Sequence, residues 1–156
     1  MPEPARALVV DLDGTLCRTD TLWECFFAAW RMCWWLPLRL PLWLLGGRAV
    51  LKQRLADITL PEVSRLPWNA SVVAAMAAAH AENRPVVLAT AADQRVAEAC
   101  ARHFPAISEV LASDGVHNLK GAHKAAALTA RFAAGFDYIG DSRADQPVWA
   151  AATGRM

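Results

Sequence analysis

Two carboxylates one residue apart, Asp11 and Asp13, are the residues whose type and spacing point first to chemistry. They follow the apolar run 7–10, which predicts a buried strand, and Gly14 after them allows a sharp turn. Two uncompensated carboxylates cost on the order of several kcal/mol in desolvation and repulsion. A hard divalent cation with oxygen ligands, such as Mg²⁺, removes that cost. The alternative is a strand followed by an Asx-type turn with both aspartates in solvent, and the motif alone favours it.

Two further apolar runs end in side chains of compatible chemistry. The run 85–90 ends in Thr90, and the run 136–140 is followed by Asp141 and, four residues later, Asp145. The carboxyl ends of parallel strands meet at one edge of a sheet, so we expect these groups to lie near the first two carboxylates. A carboxylate nucleophile, a metal ion and a hydroxyl donor together suit a site that handles phosphate. This set therefore reverses the preference for a simple turn.

A lysine supplies the positive charge that such a site needs. Lys124 lies near the start of a predicted helix over 121–132, and Lys120 precedes that helix. The spacing Gly121-x-x-Lys124-x-x-x-Leu128 favours Lys124, and Lys120 stays open as the alternative.

Strands and helices alternate along most of the chain, which predicts an α/β fold with a Rossmann-like parallel sheet. The predicted strands cover about 6–11, 85–90, 107–112 and 136–140. The predicted helices outside the insert cover about 71–81, 93–103, 121–132 and a short segment up to 152. Residues 1–156 are predicted to form a single domain, with a helical insert at about 22–66 between the first two strands. A strand beyond the fourth one, at the C-terminal edge of the sheet, is expected to be absent.

The insert is apolar and rich in tryptophan. Its first predicted helix, 22–35, carries an aromatic stripe at helical spacing, formed by Trp23, Phe27, Trp30 and Trp34. Pro37 and Pro41 are expected to interrupt the helical pattern, and a helix over 48–57 is predicted to point Lys52 outward. Aromatic and basic side chains together are typical of a membrane interface, yet aromatic stripes also build cores, so both alternatives stay open. A membrane-spanning helix is not expected, because charges and prolines divide the run.

Composition limits the function classes. The chain has 156 residues, of which 55% are hydrophobic and 20% charged, enough for a folded domain with a sizeable core. The formal net charge of +1 argues against nucleic-acid binding. Four cysteines form no C-x-x-C pair, and no secretory signal precedes the first motif, so we expect reduced thiols in a cytoplasmic protein.

The ordered motifs resemble those of the haloacid dehalogenase (HAD) superfamily of hydrolases, over about residues 6–149. The motifs that carry the resemblance are residues 11–16 (Asp-Leu-Asp-Gly-Thr-Leu), Thr90, Lys124 and residues 140–145 (Gly-Asp-Ser-Arg-Ala-Asp). The chain is further similar to the HAD-like domain found ahead of a UbiA-type prenyltransferase in bacterial fusion proteins. That likeness rests on the insert and on residues 111–115, 118–121 and 142–145.

The resemblance implies a phosphatase that works through an aspartyl-phosphate. Asp11 would attack phosphorus, and Asp13 would protonate the leaving oxygen and then activate water. The presence of Asp13 favours phosphate transfer over carbon–halogen cleavage. Thr90 would bind the transferring phosphoryl oxygens, and Lys124 would offset the charge of the nucleophile and the phosphate.

The resemblance also implies a Mg²⁺ site. Asp11, the main-chain carbonyl of Asp13 and Asp141 would hold the ion, and Asp145 would orient the lysine or a metal-bound water. The insert stands where a substrate-selecting cap would lie, and its aromatic side chains suggest an apolar or lipid-linked phosphate such as a prenyl phosphate.

A second hypothesis is a docking or accessory domain of a membrane prenyltransferase (UbiA-type) system, with little turnover of its own. The insert would then contact lipid or a transmembrane partner, with the protein peripheral at the inner face of the membrane. The superfamily sheet usually gains a strand after the last predicted helix. We therefore expect either a truncated product or a sheet that closes with fewer strands, whose edge would expose apolar surface.

Overall fold

The computed structural model describes residues 6–114 and 117–155 and shows a parallel sheet flanked by helices. The strands are β1 (Ala7–Val10), β2 (Val86–Asp93), β3 (Ile107–Ser113), β4 (Phe136–Ile139) and β5 (Gly154–Arg155). The helices are α1 (Thr21–Met32), α2 (Leu36–Leu45), α3 (Arg48–Ile58), α4 (Ala70–Ala81), α5 (Gln94–Ala101), α6 (Ala122–Arg131) and α7 (Gln146–Ala151). Single 3₁₀ turns lie at Val63–Arg65 and Arg143–Asp145. The α/β fold with a parallel sheet is as predicted.

Strand β1 lies in the middle of the sheet, whose order is β3-β2-β1-β4-β5. It pairs in parallel with β2 and β4, with Val10 opposite Leu88 on one side and Ile139 on the other. Successive β1 residues alternate between two buried layers: Val10 packs in the layer that includes the insert, and Val9 packs in the layer of α6 and α7. Burial on both faces explains why β1 is continuously apolar.

A fifth strand corrects the expectation that the C-terminal edge strand is absent. Gly154 and Arg155 pair in parallel with Asp137 and Tyr138 of β4. Gly154 permits this pairing, because a Cβ there would lie 2.5 Å from Oδ1 of Asp137. The strand is only two residues long, too short for an apolar pattern to reveal it.

Three helices, α1, α2 and α3, make up most of the insert. Pro37 falls in the first turn of α2, where its missing N–H needs no partner. The prediction that Pro41 interrupts the helical pattern is wrong, because α2 continues through it. Pro41 removes a single hydrogen bond, the one that would run to the carbonyl of Pro37, and burial of Leu36 keeps the helix packed.

The aromatic stripe faces outward, and its four side chains are between 46% and 81% exposed. The first three lie on α1, whereas Trp34 lies in the turn after this helix. Cys25 and Ala29, on the opposite side of α1, are buried, and Phe26 is buried beside the stripe with its ring against Trp23 and Trp30. Further apolar side chains of α2 are also exposed, among them Leu38, Leu42 and Leu45. The stripe is therefore not part of the core. Within the described residues, no helix has both the length and the apolar character needed to cross a membrane.

Candidate active site

The loop after β1 carries Asp11 into the interior at the carboxyl edge of the sheet. The Asp11 N–H continues the ladder by donating to the Ile139 carbonyl at 3.0 Å, and its side chain is buried. Leu12 and Leu16 are fully buried, and the Cys17 N–H donates to the Leu12 carbonyl at 2.9 Å. These apolar anchors fold the loop back on itself, which holds the carboxylate in place.

Lys124 is buried at the start of α6 and is surrounded by acceptors. Its Nζ lies 2.8 Å from Oδ1 of Asp11, 3.1 Å from the Tyr138 hydroxyl and 3.4 Å from Oδ1 of Asp145. A buried ammonium group requires such partners, because its removal from water costs on the order of several kcal/mol. Lys120, the alternative lysine, is exposed and lines the same cleft.

Asp145 is held from both sides. The Tyr138 hydroxyl donates to its Oδ1 at 3.0 Å, and the N–H and hydroxyl of Ser142 lie 3.3 and 3.2 Å from its Oδ2. Gly140 makes room for this arrangement, since a Cβ there would lie 2.6 Å from the Tyr138 ring and 2.8 Å from Oδ2 of Asp145. Asp145 is therefore a firmly held carboxylate, and its Oδ1 lies 3.4 Å from Nζ of Lys124.

Three carboxylates form a candidate cation site. Each of them offers one carboxylate oxygen, and these three oxygens lie within 4.8 Å of one another. We call the three residues, Asp11, Asp141 and Asp145, the carboxylate cluster. Gly14, at φ +80°, allows the close approach of Asp141, because a Cβ on it would lie 2.6 Å from Oδ2 of that residue. Clustered carboxylate oxygens fit a hard divalent cation. The predicted ligand set shares Asp11 and Asp141 with this cluster.

The Asp13 side chain points toward the insert, outside the carboxylate cluster. Its Oδ1 accepts the Thr21 N–H at 2.7 Å, which ties the motif loop to the first residue of α1. Burial raises the pKa of the Asp13 carboxyl, and the backbone hydrogen bond from Thr21 only partly opposes this. A raised pKa favours the protonated form of the carboxyl group, which is the form that a proton donor requires.

Thr90 lies within β2 and is fully buried. Its Oγ1 accepts the Ala92 N–H at 3.1 Å, which leaves the hydroxyl hydrogen available to a ligand. Strand β2 runs to Asp93 rather than to the predicted residue 90, and Asp93 caps α5 by accepting the Arg95 N–H at 3.0 Å.

These residues border one cleft of about 200 Å³. Its lining includes the predicted residues Asp11, Asp13, Thr90, Lys120, Lys124 and Asp145. Asp141 joins this edge through the carboxylate cluster. Burial raises the pKa of Asp11 from 3.8 to about 6, because the loss of hydration outweighs the attraction of Lys124. A bound cation would favour the ionised form and oppose this rise.

The structure adds residues that sequence reasoning missed. Tyr138 contacts both Lys124 and Asp145. The signal available in the sequence was its position in the last long strand, two residues before Gly140 of the final motif. Arg48 and Lys52 of α3 also line the cleft. The prediction that Lys52 points outward is wrong: it is half-buried and donates to the Ala91 carbonyl at 2.5 Å, and burial lowers its pKa.

The sequence of this chain is similar to part of a longer protein. The chain is 38% identical over 150 residues to the uncharacterized protein y4nM of Sinorhizobium fredii (strain NBRC 101917 / NGR234). The aligned region covers 96% of this chain and 29% of that protein. The chain thus spans under a third of the length of this relative.

Solved structures share the fold. A protein of unknown function from Bordetella pertussis Tohama I superposes with a TM-score of 0.73 at 19% identity, covering 97% of this chain and 88% of that one. A phospho-aspartyl intermediate analogue of phosphoserine phosphatase superposes with a TM-score of 0.64 at 13% identity, covering 97% and 85%. A sequence model of haloacid dehalogenase-like hydrolases matches residues 8–149, which include all the predicted motifs. The chain therefore belongs to the haloacid dehalogenase-like hydrolase family.

Proposed function

We propose that the protein is a Mg²⁺-dependent phosphomonoester hydrolase that acts through an aspartyl-phosphate at Asp11. The observation that carries the proposal is the geometry around Asp11: Lys124 lies 2.8 Å from its carboxylate, and Asp141 and Asp145 complete the carboxylate cluster. The family membership and the structural likeness to a phosphoserine phosphatase support it. The remaining acid needed for hydrolysis is Asp13, on the same loop.

Hydrolysis proceeds in two displacements at phosphorus. In the first, an Asp11 carboxylate oxygen forms a bond to phosphorus while the ester P–O bond breaks, and Asp13 transfers its proton to the leaving alcohol oxygen. In the second, the Asp13 carboxylate takes a proton from a water molecule that attacks the phosphorus. The bond between Asp11 and phosphorus then breaks, which returns Asp11 as a carboxylate and releases phosphate.

The surrounding residues hold the charges of this reaction. Lys124 neutralises part of the negative charge shared by Asp11 and the phosphoryl group, and Asp145 keeps the ammonium group in place. The Thr90 hydroxyl donates to a phosphoryl oxygen. Asp11, Asp141 and the main-chain carbonyl of Asp13 would hold Mg²⁺, which would neutralise part of the phosphate charge as a Lewis acid.

The test is phosphate release from p-nitrophenyl phosphate with and without Mg²⁺. Asp11→Asn is expected to abolish turnover, whereas Asp57→Asn, the same change at an exposed carboxylate of α3, leaves it intact. Acid-quenched wild-type protein is expected to carry a phosphate on the peptide that contains Asp11. Equal turnover by wild type and Asp11→Asn would exclude the mechanism.

A second proposed role is attachment to a membrane surface, as a docking or accessory domain of a UbiA-type prenyltransferase system. The observation that favours it is the exposed aromatic stripe on α1 and the turn after it, together with the exposed basic side chains Arg31 and Arg39. Tryptophan prefers the interfacial zone of a bilayer, and basic residues are attracted to anionic lipids. This role is compatible with turnover and concerns where the protein works.

Flotation with anionic and with neutral vesicles tests this role. Wild type is expected to float with anionic vesicles, and Trp30→Ser/Trp34→Ser is expected to stay in the unbound fraction. Leu60→Ser removes an exposed apolar side chain elsewhere in the insert and serves as the control. If wild type floats with neither the anionic nor the neutral vesicles, the proposed membrane role is wrong.

A further inference from the structure

An apolar groove of about 610 Å³ lies between α1, α2 and α3. Each helix contributes apolar side chains to it, including Trp23 of α1, Leu44 of α2 and Leu51 of α3. Among the described residues that line the groove, Arg48 alone is charged. The groove therefore suits a hydrocarbon rather than a polar ligand.

The groove adjoins the catalytic cleft through α3. Arg48, at the first position of α3, lines both the groove and the cleft. One turn later Lys52 lines the cleft, whereas Leu51 and Leu55, three and seven residues after Arg48, line the groove. Two adjoining faces of one helix thus serve the two spaces, and they meet at Arg48.

Helix α1 joins the two spaces on the other side. Its first residue, Thr21, donates its N–H to Asp13, and the next residue, Leu22, lines the groove. The loop that carries the proposed general acid therefore leads directly into the groove wall. A leaving alcohol that takes its proton from Asp13 would lie at this junction.

We infer that the substrate is a phosphate monoester of a long-chain alcohol, whose phosphate lies in the cleft at Asp11 and whose hydrocarbon chain lies in the groove. This inference rests on the proposed function and adds the substrate class. The volumes support the division: the cleft, at about 200 Å³, is smaller than a typical small-molecule site of roughly 300–1,000 Å³, and the groove, at about 610 Å³, falls within that range. The positive charge of Arg48, where the groove meets the cleft, would attract the phosphate group of the substrate.

Hydrolysis of straight-chain alkyl phosphates, each kept below its micelle concentration, tests the inference. We expect kcat/KM to rise about two- to fourfold for each methylene that enters the groove, because burial of a methylene is worth up to about 0.8 kcal/mol. The rise is expected to level off once the groove is filled. Equal kcat/KM for short and long chains, with turnover present, would overturn the inference while leaving the proposed function intact.

Two neighbouring residues of α2 provide matched variants. Leu44 lines the groove and is 53% exposed, whereas Leu45 is 85% exposed and lies outside the groove lining. Leu44→Asp is expected to remove the rise of kcat/KM with chain length. Leu45→Asp is expected to keep the full dependence. Equal effects of the two changes would contradict the groove assignment.

Binding measurements test the groove independently of whether the protein hydrolyses an ester. Alkyl phosphonates cannot be hydrolysed, so their affinity in the presence of Mg²⁺, measured by calorimetry, reports the groove even if no ester is turned over. Affinity that rises with chain length and falls in Leu44→Asp supports the groove. Affinity that is independent of chain length overturns it. If Leu44→Asp instead converts a dimer to a monomer in sedimentation, without any effect of chain length, the groove is an interface between two copies.

Discussion

A Cβ on Gly14 would lie 2.6 Å from Oδ2 of Asp141, so a glycine in the first motif makes room for a carboxylate of the last one. The two residues are far apart in sequence and meet where β1 and β4 end side by side. The same aspartate belongs to the carboxylate cluster. The arrangement of the candidate cation site therefore depends on a glycine at position 14.

Gly14→Ala is expected to weaken Mg²⁺ binding and to lower turnover at least tenfold, because the added methyl group displaces Asp141. The change also costs about 1–2 kcal/mol of stability, since φ +80° is unfavourable for alanine. Gly47→Ala is the matched control: its φ is +94°, and nothing lies within 4 Å of the added Cβ. It is expected to reproduce the loss of stability without the loss of Mg²⁺ affinity in a titration. Equal Mg²⁺ affinities in the two variants would contradict this account.

Lys124→Met is expected to lower kcat by about 10²–10³-fold, the usual loss when a buried group that stabilises developing charge is removed. Lys120→Met is expected to cause a smaller loss, because an exposed ammonium group is screened by water. Steady-state rates at saturating Mg²⁺ measure the difference. A larger effect at Lys120 would transfer the proposed role to that residue.

Asp11→Asn is expected to stabilise the metal-free protein at alkaline pH. Because the pKa of Asp11 is raised to about 6, the folded protein binds more protons than the unfolded chain between about pH 4 and pH 7. The free energy of unfolding of wild type therefore falls as the pH rises through this range. The asparagine variant lacks this fall, because its side chain does not ionise. The expected gain at pH 8 is about 1–3 kcal/mol, and most of it disappears at pH 4.

Denaturant unfolding in EDTA at pH 4 and pH 8 measures this effect. Saturating Mg²⁺ is expected to raise the stability of wild type more than that of Asp11→Asn, because only wild type keeps the full carboxylate cluster. An asparagine variant less stable than wild type at pH 8 would show that Lys124 contributes more than the loss of hydration costs.

Tyr138→Phe is expected to lower the free energy of unfolding by about 1–2 kcal/mol, because the hydroxyl contacts both Lys124 and Asp145 in the interior. The phenylalanine ring keeps the packing, so the fold is retained. Turnover is expected to fall severalfold, since Asp145 then holds the ammonium group less firmly. Thermal unfolding and kcat of the same preparation test both parts. Unchanged values for both would leave the tyrosine without a positioning role.

Sequence patterns were sufficient for the strands β1 to β4 and for the predicted residues that gather at their carboxyl ends. Parallel strands place their carboxyl ends together, so Asp11, Thr90 and Asp141 could be assigned to one edge from the residues that follow each apolar run. Lys124 could be preferred over Lys120 by its place in a predicted helix. These assignments need only local periodicity and a rule of topology.

Other features of the protein depend on the tertiary structure and could not be predicted by those local rules. A helical pattern shows which residues share a face but not what covers that face, so the exposure of the aromatic stripe and the inward turn of Lys52 depended on how α1, α2 and α3 pack. Two-residue β5 carries too short a pattern to be recognised. The sequence by itself determined the α/β family and its ordered motifs, because these follow from residue type and spacing along the chain. The meeting of Gly14 with Asp141, and of the groove with the cleft at Arg48, required the packed structure, because each joins segments that are separated in the chain.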